Sequence, residues 1–235
     1  MHIVAVGGGG FSDSGTLTPL DQYLLHLTGR ERPRVCFIGT ASGDSDRYAA
    51  MFYRAYAPVA SPSDLVLFGA PDRDDVARLF DQDMIFVGGG NTANMLSVWR
   101  LHGVDELLHQ VWRAGTVIAG ISAGAICWFE GCLTDSFGTQ LAPLRDGLGL
   151  LKGSACPHLS SDPLRRARYV EEIAAGNLSD GYGIEDGAAL HFVGTELHAV
   201  ISEVAGKSGS WFELSDGVVK ETRLDAVELP GARPG

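Results

Sequence analysis

Cysteine is scarce in this chain of 235 residues: Cys36, Cys127, Cys132 and Cys156 are the only four, and no two of them stand as CxxC. Most lie in apolar runs, which argues against a disulfide scaffold or thiolate metal ribbon and predicts reduced thiols in a cytoplasmic protein. Positive charge is short as well. Lys and Arg total 18 against 29 Asp and Glu, a formal net charge of -11, which opposes nucleic acid and anionic membrane as main partners. No stretch approaches the roughly 20 apolar residues that span a bilayer. The opening "MHIVAVGGGG" has neither the length nor the basic leader of a signal peptide. Long polar tracts and simple repeats are absent too. With 45% of residues hydrophobic, the expectation is a single folded domain over 1–228 followed by a loose tail over 229–235.

Glycine is abundant, 31 residues, and it falls where short apolar runs end. "HIVAV" runs into Gly7–Gly10, "RVCFIGT" ends near Ser42 and Gly43, "DLVLFGA" leads to Pro71, "MIFVGGGN" ends at Asn91 and "TVIAG" at Gly120. Between them "LTPLDQYLLHLTG", "DRYAAMFYRAYA", "DVARLFD", the long stretch from Ala93 to Gly115, and "AGAICWFEG" carry helical spacing. Continuous apolar strands alternating with helices predict an α/β fold, a mostly parallel sheet flanked by helices. After the helix pattern "DPLRRARYVEEIAAG" come short runs with turn signals, a β-rich C-terminal part.

In such sheets ligands gather beyond the carboxyl ends of the strands. After Val117-Ile118-Ala119 stands Gly120-Ile121-Ser122-Ala123-Gly124, a G-x-S-x-G sequence. Glycines on both sides allow a sharp strand-to-helix turn that lifts the Ser122 hydroxyl above the sheet as a nucleophile. A plain helix cap is the competing role. The glycines after Val87 leave backbone amides free to approach a ligand, so Gly89 or Gly90 with the amide of Ala123 would hold an oxyanion, while Asn91 begins the next helix and faces substrate. Of seven histidines, His158 is the favoured base, because it lies in the irregular loop "GSACPHLSSD" rather than in a strand or helix run.

Taken in order, "FVGGGNT", "GISAGA", "CPHL" and "GIEDGAAL" resemble the peptidase E group of serine peptidases, aspartyl dipeptidases with cyanophycinases as relatives, from about Ile3 to Val193. The resemblance implies a fold like that of class I glutamine amidotransferases, with Ser122 as nucleophile and His158 as general base. It places the third member in "EDG", at Asp186 with Glu185 as the fallback; Asp135 in "CLTDSFGT" is a rival orienter or a pocket residue. It also implies recognition of an acidic substrate side chain by an arginine after the catalytic histidine, best matched by Arg165 in "SSDPLRRARYV". The loop from His158 to Arg165 is shorter than the group's pattern, so a broader peptidase acting on short peptides fits equally well.

Two other readings stand beside this one. An α/β-hydrolase esterase would need Asp162 followed by His191 or His198, both in strand-like runs. A binding module would cradle a nucleotide in Gly7–Gly10 or Gly88–Gly90, yet neither completes G-x-G-x-x-G. Cys127 and Cys156 miss the turn position, and no H-E-x-x-H pattern or paired CxxC offers metal ligands, so no cofactor is expected. The expected partner is a short peptide substrate, and "MFYRAYAPVA" suits either the core or a homodimer interface.

Overall fold

Short aliphatic runs with no polar face can only be strands covered on both sides, and that is how they fold. The computed structural model describes residues 1–69 and 71–235. Its larger sheet has eight strands in the order β14 (Ala226–Arg233), β11 (Glu196–Val204), β10 (Ala188–Val193), β1 (His2–Val6), β5 (Val117–Ile121), β4 (Met84–Val87), β2 (Arg34–Ile38) and β3 (Ser61–Leu65). From β1 through β5, β4 and β2 to β3 every pairing is parallel. β10 joins β1 antiparallel, β11 joins β10 antiparallel, and β14 lies parallel to β11.

The β-rich part is shared between sheets: β10, β11 and β14 complete the larger one, while its other strands join three from residues 129–156 in a second, six-stranded mixed sheet, ordered β13 (Val218–Arg223), β12 (Gly209–Ser215), β9 (Gly181–Ile184), β8 (Leu151–Cys156), β6 (Phe129–Thr134) and β7 (Ala142–Leu144). The helices are α1 (Phe11–Ser14), α2 (Pro19–Leu27), α3 (Asp46–Tyr56), α4 (Arg73–Ala77), α5 (Thr92–His102), α6 (Val104–Ala114), α7 (Ala123–Ile126) and α8 (Pro163–Ala174). The molecule is therefore a mixed α/β fold with two sheets.

Period-two alternation divides each central strand between two cores. Ile3, Ile38, Ile85 and Ile118 face α5, α6 and the second sheet, where Trp99, Leu108 and Phe129 are buried. Val4, Val35, Phe86 and Ala119 face α2 and α3, where Leu20, Leu24, Phe52 and Tyr56 are buried. Phe52, Ala55, Tyr56 and Ala60 of "MFYRAYAPVA" thus belong to the core of this chain.

Four expectations are corrected. Residues 229–235 are not a loose tail: through Arg233 they extend β14, with Leu229 buried against Ile201 and Arg233 paired to the buried Glu203 carboxylate. Pro230 and Gly231 read as breakers, but an outermost strand tolerates a proline, and the pairing shifts between Ser202 and Val204 where they pass. The helix expected from Ala123 to Gly131 stops at Ile126 and the chain re-enters a sheet at Phe129. The stretch from Ala93 to Gly115 is two helices, broken where Gly103 takes φ 70. The strand of "DLVLFGA" begins earlier, at Ser61, and ends at Leu65; Ala70 lies outside the described residues.

Candidate active site

β5 ends at Ile121 and α7 begins at Ala123, so Ser122 alone makes the turn, with φ 54 and ψ -112. A non-glycine residue in that region is strained and is held there by its surroundings. Its amide donates to the Val6 carbonyl at 3.0 Å, which ties the turn to β1. Both flanking glycines are required sterically: a Cβ at Gly120 would lie 2.2 Å from the Gly124 carbonyl oxygen, and one at Gly124 would lie 2.3 Å from that of Val87. The Ser122 hydroxyl makes no capping bond to α7. It meets His158 Nε2 at 2.8 Å instead.

His158 leaves the end of β8 in the loop after Pro157, with φ 56, and the next amide, Leu159, donates to Ile184 of β9 at 3.0 Å. The other ring nitrogen, Nδ1, lies 2.6 Å from Asp186 Oδ1. Asp186 sits between β9 and β10, and Gly187 behind it donates to the Gly8 carbonyl at 2.8 Å. Loops from the carboxyl ends of β5, β8 and β9 thus converge in an unbroken hydroxyl–imidazole–carboxylate line. Burial pushes the Asp186 carboxyl up, but hydrogen bonds from His158 and Ser161, with the attraction of His158 and Lys207, outweigh it and hold the group below its ordinary value. A carboxylate in that place favours the Nδ1–H tautomer, which leaves Nε2 free to accept the serine proton.

The line opens into a cavity of about 410 Å³ whose walls include Gly8, Asp13, Arg47, Tyr48 and Gly89. Gly89 packs on Ser122, its added Cβ 3.4 Å from the serine Cβ, and its amide reaches the Tyr48 hydroxyl at a long 3.4 Å. Gly90, with φ 139, packs instead on Ala41, whose carbonyl oxygen would lie 2.1 Å from an added Cβ. Ala123 is the first residue of α7 and carries one of the amides a helix leaves without an intrahelical acceptor.

Other expected residues stand elsewhere. Glu185 points the opposite way from its neighbour: buried, it accepts from the Ser208 amide at 2.8 Å and pairs with Arg223 at 3.4 Å. Asp135 is bound to Arg165 at 3.2 Å, so it does not orient His158. Arg165 is itself buried between Asp135 and Asp162 and does not line the cavity, because α8 turns it toward the second sheet's side of the molecule. Asn91 caps α5 through Asn94 at 2.8 Å and donates to the Ser136 carbonyl at 3.0 Å, so its side chain is committed to structure rather than to substrate. Both ring nitrogens of His191 are taken, Nε2 by His2 at 2.9 Å and Nδ1 by the Tyr23 hydroxyl at 2.7 Å. Among the described residues no group of three or more His, Cys, Asp or Glu side chains forms a metal site.

The residues missed by sequence reasoning are Gly8, Asp13, Arg47 and Tyr48. Gly8 had a signal, a strand-end glycine run; Arg47 and Tyr48 lie in an ordinary helix pattern, and Asp13 stands just after the glycine run, outside any helix pattern.

The sequence matches the profile of Peptidase family S51 over residues 3–200. It is 47% identical over 229 residues to "Uncharacterized peptidase YgaJ" of Bacillus subtilis (strain 168), covering 97% of this chain and 99% of that protein. It is 33% identical over 132 residues to "Peptidase E" of Streptomyces coelicolor, covering 55% of this chain and 53% of that one. The fold is similar to that of a peptidase from an acI-B1 Actinobacterium, with TM-score 0.67 and 19% identity over 96% of this chain and 94% of the other. With the family profile matched over most of its length and a serine presented at the head of this line of side chains, the chain belongs to peptidase family S51 and is a serine peptidase.

Proposed function

We propose that the protein hydrolyses short peptides, as a dipeptidase or exopeptidase, through Ser122, His158 and Asp186. The observation that carries this reading is the continuous pair of contacts at the cavity floor, 2.8 Å from serine to imidazole and 2.6 Å from imidazole to carboxylate. Ser122 Oγ attacks the peptide carbonyl while His158 Nε2 takes its proton, and Asp186 stabilises the imidazolium. The amides of Ala123 and Gly89 receive the oxyanion; the carbonyl oxygen displaces the weak contact of Gly89 with Tyr48. His158 then protonates the leaving amine as the C–N bond breaks. Water, deprotonated by the same nitrogen, attacks the acyl-enzyme; the ester bond to Ser122 Oγ then breaks, His158 gives its proton to that oxygen, and the carboxylic acid product leaves.

A cavity of about 410 Å³ is at the small end of the range for ligand sites, which supports short rather than long substrates. Selection of an acidic residue by Arg165 is not part of this proposal, since Asp135 and Asp162 already neutralise it. The parallel core with a serine turn after β5 supports kinship with the class I glutamine amidotransferase architecture. Four buried thiols and the lack, among the described residues, of any helix long and apolar enough to cross a membrane support a cytoplasmic location. The experiment is a mass-spectrometric digest of mixed dipeptides, longer peptides and blocked peptides by wild type and Ser122→Ala. Cleavage of short peptides by wild type alone is expected; equal turnover by both proteins would overturn the assignment.

A further inference from the structure

Asp13 is a partly buried carboxylate beside the catalytic line, held by no direct ion pair among the described residues. It sits in α1, immediately beyond β1, and lines the same cavity as Ser122 and His158. Burial and the negative Asp186 and Glu203 push its carboxyl up, and the opposing pull of His158 and Arg233 does not cancel them. To the same cavity α3 supplies Arg47, an exposed guanidinium that likewise has no ion-pair partner among the described residues. One anion and one cation therefore face the space above the serine.

We propose that Asp13 binds the free α-ammonium of the substrate and Arg47 a carboxylate on the same molecule, so that the enzyme trims short zwitterionic peptides from the amino end. This rests on the Ser122–His158–Asp186 reading above. In a peptide the α-nitrogen lies only about 2.5 Å from the carbonyl carbon of its own residue. When that carbonyl is under attack by Ser122, the ammonium is unavoidably beside the catalytic line, within the part of the cavity that Asp13 shares with His158 and Asp186. A second residue extends the peptide by roughly 3.5 Å, which suits a cavity of this volume and carries a carboxylate into the space that Arg47 also lines. The carboxylate is either the carboxyl terminus of a dipeptide or an acidic side chain. A guanidinium serves both through two parallel hydrogen bonds.

The test is kcat/KM on a matched series: Ala-Ala, its N-acetyl derivative, its carboxyl-terminal amide, and Asp-Ala with and without the terminal amide. Wild type should prefer the free amine over the N-acetyl form, and Asp13→Asn should collapse that ratio by about 10- to 100-fold, the effect of one charge-assisted hydrogen bond. Arg47→Gln should collapse the preference for free acid over amide in Ala-Ala if the terminus is read, or for Asp-Ala amide over Ala-Ala amide if the side chain is read. Equal cleavage of free and acetylated peptides by wild type, still abolished by Ser122→Ala, would overturn this inference and leave the catalytic reading intact. A uniform loss on every substrate in Asp13→Asn would overturn it too, because Asp13 would then act through His158. No dependence on Ser122 at all would overturn the catalytic reading itself. The wild-type ratio needs no variant, so misfolding of Asp13→Asn does not spoil the test.

Discussion

Gly8→Ala should disable the enzyme without unfolding it. A Cβ built on Gly8 would lie 2.1 Å from Asp186 Oδ1 and 3.1 Å from His158 Nδ1, so the added methyl presses on both partners of the 2.6 Å bond. Real Cβ contacts are not found below 3.0 Å, so the carboxylate oxygen must retreat by about 0.9 Å, the difference between 3.0 and 2.1 Å. Retreat is easy, because the Asp186 side chain is 35% exposed and can turn toward water. The stability loss is therefore small, under about 1 kcal/mol. The catalytic loss is not: a displacement near 1 Å costs about 100-fold, and complete loss of the orienting carboxylate about 10,000-fold, so kcat/KM should fall between those limits. The assay is turnover of a cleaved dipeptide by Gly8→Ala, Asp186→Ala and the double variant, with thermal unfolding of each. Asp186→Ala removes the atoms that the methyl would strike, so the second substitution should add less than about threefold. Near-wild-type activity in Gly8→Ala, or a full additive penalty in the double variant, would refute the reasoning.

Two further outcomes follow from burial. Cys36 and Cys156 are pushed up to about 12 by burial and Cys127 and Cys132 are pushed up as well, so a thiol reagent at pH 8 should titrate none of the four in the native protein and all four after denaturation. Asp21, buried beneath Tyr56 and Thr18, is raised from 3.8 to about 6 by burial despite its hydrogen bonds from those residues. The folded state then holds a proton that the unfolded state releases between pH 4 and 6, so this group lowers stability as pH rises through that window. The stability of Asp21→Asn relative to wild type, followed by denaturant unfolding, should increase by about 2–3 kcal/mol from pH 4 to 7; a flat difference would refute the assignment.

Much of the fold was legible because its signals are local. Apolar runs ending in glycine marked β1, β2, β4 and β5 directly, since a strand covered on both faces must be continuous and its ligand-side turn must be tight. The second sheet was visible only in part, because β6, β7 and β8 were not read as strands and β9 is the short run "GYGI", half of it glycine at Gly181 and Gly183. Those glycines are packing sites: a Cβ at Gly181 would overlap the Ser154 carbonyl, and one at Gly183 would strike Leu159. The end of the chain was misread for a related reason, its proline and glycine concealing an edge strand.

In the site, the serine turn and the loop histidine were readable from spacing, because glycine on both sides of Ser122 and proline before His158 restrict the backbone locally. What spacing leaves open is which distant side chains meet. Glu185 and Asp186 are adjacent and chemically alike, and only the twist of the chain between β9 and β10 sends one into the core and the other to His158. Arg165 looked available until Asp135, which lies 30 residues earlier, closed upon it. Asp13 and Arg47 carried no motif, and they share a cavity because parallel pairing sets the ends of β1 and β5 side by side and lets α3 cover them. The sequence by itself determined strands and turns, the turn at Ser122 among them, whose causes are steric and local; tertiary structure decided which carboxylate meets His158, which charges line the cavity and how close Gly8 stands to that pair, because those depend on loops brought together by the sheet.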